Sequence, residues 1–201
     1  MMKLRLWVAG MALSCAGWAQ AATPVQLSLP GLNLPASQKV TGARLSVLYG
    51  QTGSMTGLDV PLFALSDTNN FTGVQFGLGL GAGRVRHSFK GVAITAVNWH
   101  EGQDLGVNLG LVNLTNQAQG LNAGLVNVGN SMHGLNFGAV NIAQGNALAN
   151  VGFINYAERT TFQLGLFNAT QHLDGVQIGL GNYATNGIFP VLPLINISKS
   201  F

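Results

Sequence analysis

The sequence predicts an all-β chain built from one short tandem repeat, and three observations carry that prediction. Asparagines recur at Asn98, Asn113, Asn127, Asn141, Asn155, Asn168, Asn182 and Asn196, at spacings of 15, 14, 14, 14, 13, 14 and 14 residues. The text around them repeats as GVNLGLVN, GLNAGLVN and GLNFGAVN, with worn copies LANVGFIN and TFQLGLFN. Within each copy apolar residues alternate with polar or small ones, the period of a β-strand. A repeat of this length cannot enclose a core alone, so each copy has to be one element stacked on its neighbours.

Numbering the first Gly of GVNLGLVN as position 1 and its Asn as position 8 makes the alternation explicit. Position 4 is Phe76, Ile94, Leu109, Ala123, Phe137, Val151, Leu164 and Ile178, and positions 2 and 6 are equally apolar. Position 3 is Gln75, Ala93, Asn108, Asn122, Asn136, Asn150, Gln163 and Gln177, polar in seven of eight. Position 5 is Gly in seven of eight, with Thr95 the exception, which argues against helix in nearly every copy. Weaker copies start at Gly42 (within VTGARLSVLYG) and Gly57 (TGLDVPLFAL), so starts at 42, 57, 73, 91, 106, 120, 134, 148, 161 and 175 give ten copies. The closing FPVLPLINISKSF reads as a further strand, with Pro190 and Pro193 confining it to an edge or a bulge. The early PVQLSLPGLNL reads as another, for about 12 in all.

Two architectures fit this pattern. In the first, an antiparallel outer-membrane β-barrel of about 12 short strands, positions 2, 4 and 6 face lipid and the Gly, Gln and Asn rows line the interior. Closure would remove the sheet edges that must not meet hydrocarbon. Aromatics at two residues before position 1 (Phe71, Phe89) and at position 9 (Trp99, Tyr156, Tyr183) would form the interface girdles, given a bulge after position 6 that also turns the Asn inward. The alternative is a parallel β-solenoid with one coil per repeat, in which the Asn forms a stacked ladder. That reading buries positions 2, 4 and 6 as a dry core and presents the Gly/Gln/Asn face as a binding surface. The barrel is the first expectation, because residues 10 to 12 of each copy supply no apolar strand to pack inside a coil.

Residues 1–21 read as a cleavable signal peptide. Lys3 and Arg5 form its basic start, Leu6 to Trp18 its apolar run and Ala19-Gln20-Ala21 its cleavage site. Residues 22–201 then form a single repeat-built β domain, clear from about residue 40. Cleavage removes the only cysteine, Cys15, and reduces nine basic residues to seven against six acidic ones. Only 7% of the chain is charged, low beside the usual ~25%, and no basic face interleaved with aromatics points to nucleic acid. Phe201, ending an alternating strand, matches the sorting signal read by outer-membrane insertion machinery, although Lys199 departs from it.

Candidate chemistry is sparse. His100, Glu101 and Asp104 form the densest polar group, expected on a turn at a polar rim, and no constellation supplies a catalytic triad, a metal site or a cofactor site. Gly77-Leu78-Gly79-Leu80-Gly81-Ala82 matches a dinucleotide fingerprint in letters, but no helix follows it. Arg84, Arg86 and Lys90, in what reads as the longest connector, are candidates for contact with anionic headgroups or lipopolysaccharide phosphate.

The tandem GhxhGhVN copies (h for apolar), the RLSVLYG copy before them and the FPVLPLIN close resemble the surface-repeat proteins of Gram-negative bacteria, over roughly residues 40 to 201. Departures are Ala64 and Leu80 at the Asn phase, and Leu148 and Thr161 at position 1. The resemblance implies an envelope location and a repeat-built β structure, and no reaction. The expectation is therefore a non-enzymatic integral outer-membrane protein, structural or a narrow passive pore, with outer-membrane lipid as its partner. The alternative is a secreted or surface-attached solenoid serving as adhesin or scaffold. A minor third is a barrel-embedded enzyme.

Overall fold

The computed structural model describes residues 21–199, so the expected leader, up to Gln20, and the terminal Phe201 lie outside them. The described residues form nine strands and no helix: β1 Thr23–Leu29, β2 Leu32–Leu34, β3 Lys39–Phe76, β4 Ala82–Ile94, β5 Val97–Leu109, β6 Val112–Val151, β7 Ile154–Leu164, β8 Phe167–Ala184 and β9 Val191–Ile197. They hydrogen-bond in the order β2-β1-β3-β4-β5-β6-β7-β8-β9. From β1 through β3 to β8 every pairing is parallel. The architecture is a β-solenoid of about ten turns and not a barrel.

The register explains why the repeat closes this way. Gly91 pairs with Gly106, Val92 with Val107 and Ile94 with Leu109. One coil further on, Asn98 and Asn113 are partners, as are Asn108 and Asn122. Like residues stack on like, which only parallel, in-register coils allow. Copy starts lie 13 to 18 residues apart, and most of the differences are taken up in the polar turn, between Thr68 and Asn70, His100 and Gln103, and Ala143 and Asn146, with one between Thr160 and Phe162. The apolar segments therefore stay in phase along the whole stack.

Where the strands break, at residues 95–96, 110–111, 152–153 and 165–166, two runs meet at a corner at positions 5 and 6, with a polar turn beyond position 10. In the coil of Gly106, residues 103–109 form one run and 112–115 the other. Asp104, Asn108, Asn113 and Thr115 point inward and are buried. Leu105 and Leu111 are exposed, with Val107, Leu109, Val112 and Leu114 half-buried on the outside. In this coil the inward side chains are therefore mainly polar and the rows at positions 2, 4 and 6 face outward.

This corrects both sequence-based architectures in part. The barrel assigned the facing correctly, because positions 2, 4 and 6 do point outward, but its antiparallel path is replaced by parallel coils. The solenoid assigned the path correctly but placed the apolar rows inside, where the Gln and Asn rows sit instead. The lack of an apolar strand at positions 10 to 12 is no obstacle to a coil whose interior is largely amide, hydroxyl and small side chains, with a few large apolar ones among them. The expected aromatic girdle is also corrected. Phe71 and Phe89 are buried with Val40, Met55, Val85 and Ala93 in an internal cluster, their rings stacked 5.3 Å apart. The stretch read as the longest connector, with Arg84, Arg86 and Lys90, is strand β4.

The ends close differently from the middle. PVQLSLPGLNL forms the β1–β2 hairpin, with β1 adding in parallel to β3. At the other end β9 turns back and pairs antiparallel with β8, placing Asn196 opposite Gln177 rather than over Asn182. Asn196 is thus the one repeat asparagine outside the ladder.

Candidate functional surface

The ladder begins at Thr95, whose hydroxyl donates to Asn98 Oδ1 at 2.8 Å. Asn98, Asn113, Asn127, Asn141, Asn155 and Asn168 each donate from Nδ2 to Oδ1 of the next, at 2.7–2.8 Å, ending on Asn182. The second Nδ2 hydrogen goes in several coils to the position-4 carbonyl of the next coil, as from Asn141 to Val151 O at 3.0 Å. A buried amide satisfied on both sides rigidifies without leaving a charge in low dielectric. A second ladder runs through position 3, from Asn108 to Asn122 and on through Asn136 to Asn150.

Glycine at position 5 is the steric complement of that ladder. A β-carbon on Gly138 would stand 2.6 Å from Asn127 Nδ2 and 2.3 Å from Gly124 O. At position 1 the need is both conformational and steric: Gly120 has φ of +129°, and a β-carbon there would meet Gly106 O at 2.0 Å.

The first coils replace amides by an ion pair. Arg44 donates to both oxygens of Asp59 at 2.8 and 3.0 Å, with both side chains fully buried. Ser66 bridges Arg44 and Asp59, and Gln75 Nε2 donates to Asp59 Oδ2 at 2.8 Å. Sequence reasoning missed this cluster. Its signal was present: Arg44, Asp59 and Gln75 occupy position 3 in successive copies, so opposite charges fall on adjacent rungs of an inward row.

His100 and Asp104, expected on an exposed turn, are also interior. His100 Nδ1 lies 2.7 Å from Asp104 Oδ2, which also accepts from Asn108 Nδ2 at 2.6 Å, and the imidazole stacks on Phe89 at 4.2 Å. Glu101 alone of the three reaches the rim, where it takes Arg84 Nε at 2.9 Å. Arg84 lies over the Trp99 ring at 4.2 Å. Arg86 forks onto Asp67 at 2.9 and 2.7 Å, which holds its guanidinium still more firmly protonated. Of the three headgroup candidates, Arg84 and Arg86 are thus engaged by carboxylates. Lys90 is exposed and joins no ion pair among the described residues, beside a polar groove of about 470 Å³ shared with Ser88, Gln103 and His133. Among the described residues no group of His, Cys, Asp or Glu is placed to hold a metal.

The outer surface is the feature with functional weight. The eight octapeptides from Gly73 to Asn182 contain no Asp, Glu, Lys or Arg. Leu125, Phe137, Phe153, Leu166 and Leu180 lie more than 40% exposed along the corner and its flank. Leu125, Phe137, Phe153 and Leu166 line an open apolar groove of about 550 Å³, floored by Gly124, Gly138, Gly152 and Gly165. Soluble monomers rarely expose a contiguous apolar patch beyond a few hundred Å².

No protein-family model, curated protein or solved structure matches the chain. Fold and surface together define the class: an amphipathic parallel β-solenoid, amide-cored, with an apolar exterior on one side of its axis.

Proposed function

We propose that the chain is a non-enzymatic scaffold of the Gram-negative cell envelope, exported through its leader and attached at the outer membrane. The observation that carries this reading is the reversal of the usual facing. The coil spends its polar side chains on its own interior and leaves its apolar rows outside, where they need a partner. The rigid, repeated rungs supply a long uniform docking surface, which suits a scaffold or adhesin better than a chemical site. The His100–Asp104 pair offers no exposed nucleophile or base for an enzymatic reading, because both side chains are buried and turned to each other.

The test is fractionation of cells producing the chain, followed by protease treatment of intact cells. Recovery with the outer membrane, with the chain cleaved from outside, is the expected result. A freely soluble monomer in cytoplasm or periplasm overturns the proposal.

A further inference from the structure

We infer that the solenoid seats edge-on in a single leaflet of a phospholipid bilayer, its apolar corner inserted as a keel and its polar turns held among the headgroups. This rests on the envelope-scaffold reading and names its partner.

Three observations select lipid over another protein. First, the apolar surface turns a corner. In the coil of Gly106, Val107 and Leu109 lie on one flat face, Leu111 on the corner, and Val112 and Leu114 on the other face. A second copy laid on either face would leave the other in water, whereas a fluid medium covers both. Second, charge is partitioned by edge. From residue 73 to 182 every Asp, Glu, Lys and Arg lies between the octapeptides; Asp104 is turned into the interior, and the others lie at or near the polar turns. Third, the dimensions fit. Four or five residues separate corner from turn, roughly 13–17 Å at ~3.3 Å per residue, close to the ~15 Å of half a hydrocarbon core.

Details of the chain agree with that depth. Trp99 and Tyr183, at position 9, sit part-exposed where the apolar run gives way to the polar turn, the level at which amphipathic rings favour a membrane interface. Lateral burial in lipid leaves no sheet edge unpaired along the stack, since every coil is hydrogen-bonded to the next. At the closing strand β9, Pro193 has no N–H to leave unsatisfied. Lys90, exposed and without a carboxylate partner, sits at the end of the coil assigned to the headgroups.

The experiment uses the exported chain purified from cells, with Trp99, the one tryptophan beyond the expected leader, replaced by Phe. Single tryptophans are then placed at Phe153→Trp, on the corner, or at Gln144→Trp, on the polar turn; both sites are exposed, so the fold tolerates them. Each is mixed with phosphatidylethanolamine and phosphatidylglycerol vesicles carrying acyl chains brominated near mid-chain. Quenching at 153 at least about threefold stronger than at 144 is expected, because only the corner reaches the hydrocarbon. A Phe153→Asp, Leu125→Asp variant, folded by circular dichroism, should lose most of the vesicle-bound fraction.

Equal quenching at the two sites overturns the keel. So does a dimer that ignores vesicles, which would assign the apolar surface to a second copy. A chain that binds the vesicles with both sites unquenched also overturns it. Any of these results found for a chain that still fractionates with the outer membrane leaves the scaffold reading standing.

Discussion

Asn141 and Gly152 are coupled across adjacent coils: a β-carbon on Gly152 would stand 2.7 Å from Asn141 Nδ2 and 1.9 Å from Gly138 O. The asparagine at position 8 and the glycine at position 5 are therefore one device, an amide rung and the gap that admits it. Gly152→Ala is expected to destabilise by about 1–3 kcal/mol through overpacking against backbone that cannot retreat. Gly181→Ala, whose β-carbon meets only the exposed Phe167 ring at 3.2 Å, should cost markedly less. Urea midpoints of the two variants decide the matter; equal midpoints would mean that the rungs do not constrain position 5.

Removing a rung should cost more than its neutral chemistry suggests. Asn127 accepts from Asn113 and donates to Asn141 and to Phe137 O. Asn127→Ala strands buried partners on both sides, and we expect a loss of roughly 1–3 kcal/mol. Asn116→Ala breaks the exposed Asn130–Asn116 bond and should stay within about 0.5 kcal/mol of the parent. Similar losses for both would argue against an interior ladder.

The buried pair of the first coils is a separate test. Asp59→Asn or Arg44→Gln leaves its partner charged in a dry interior, at an expected cost of about 3–5 kcal/mol. Replacing both, as Arg44→Met with Asp59→Leu, should recover much of that loss. Additive losses in the double-mutant cycle would show that the two side chains do not meet.

A packed interior also forbids conduction. Asn, Gln, Met and Phe side chains fill the coil, so planar bilayers exposed to the purified chain should show no discrete conductance steps. Regular porin-like steps would restore an open barrel.

Much of this was legible in the sequence, and the misreadings have physical causes. Period-two alternation identified strands, and Asn98 through Asn182 at near-constant phase identified rungs. Alternation states which residues share a face; it does not state which face is wet. Positions 2, 4 and 6 suit lipid on the outside of a barrel or a dry interior equally well. The fold takes outward apolar rows from the one and parallel coils from the other. Asn196 carried the repeat letter but not the register, because the turn before β9 reverses the chain. His100 and Asp104 read as rim residues because a buried His–Asp pair cannot be told from an exposed turn without its neighbour, Phe89. The charge partition around the coil axis was readable throughout, as eight uncharged octapeptides between charged turns.

Parallel stacking is the claim on which the ladder, the apolar corner and the keel all depend, and cross-linking tests it most directly. Asn116 and Asn130 occupy the same turn of adjacent coils, with Nδ2 and Oδ1 2.7 Å apart. Replacing both with cysteine, in a chain carrying Cys15→Ser, should give a rapid intramolecular disulfide under mild oxidation. Parallel neighbours ~4.8 Å apart lie within the ~4.4–6.8 Å between Cα atoms that a disulfide needs. In an antiparallel array with one strand per repeat the two residues lie at opposite strand ends, so a chain that forms no such bond while remaining folded would contradict the solenoid.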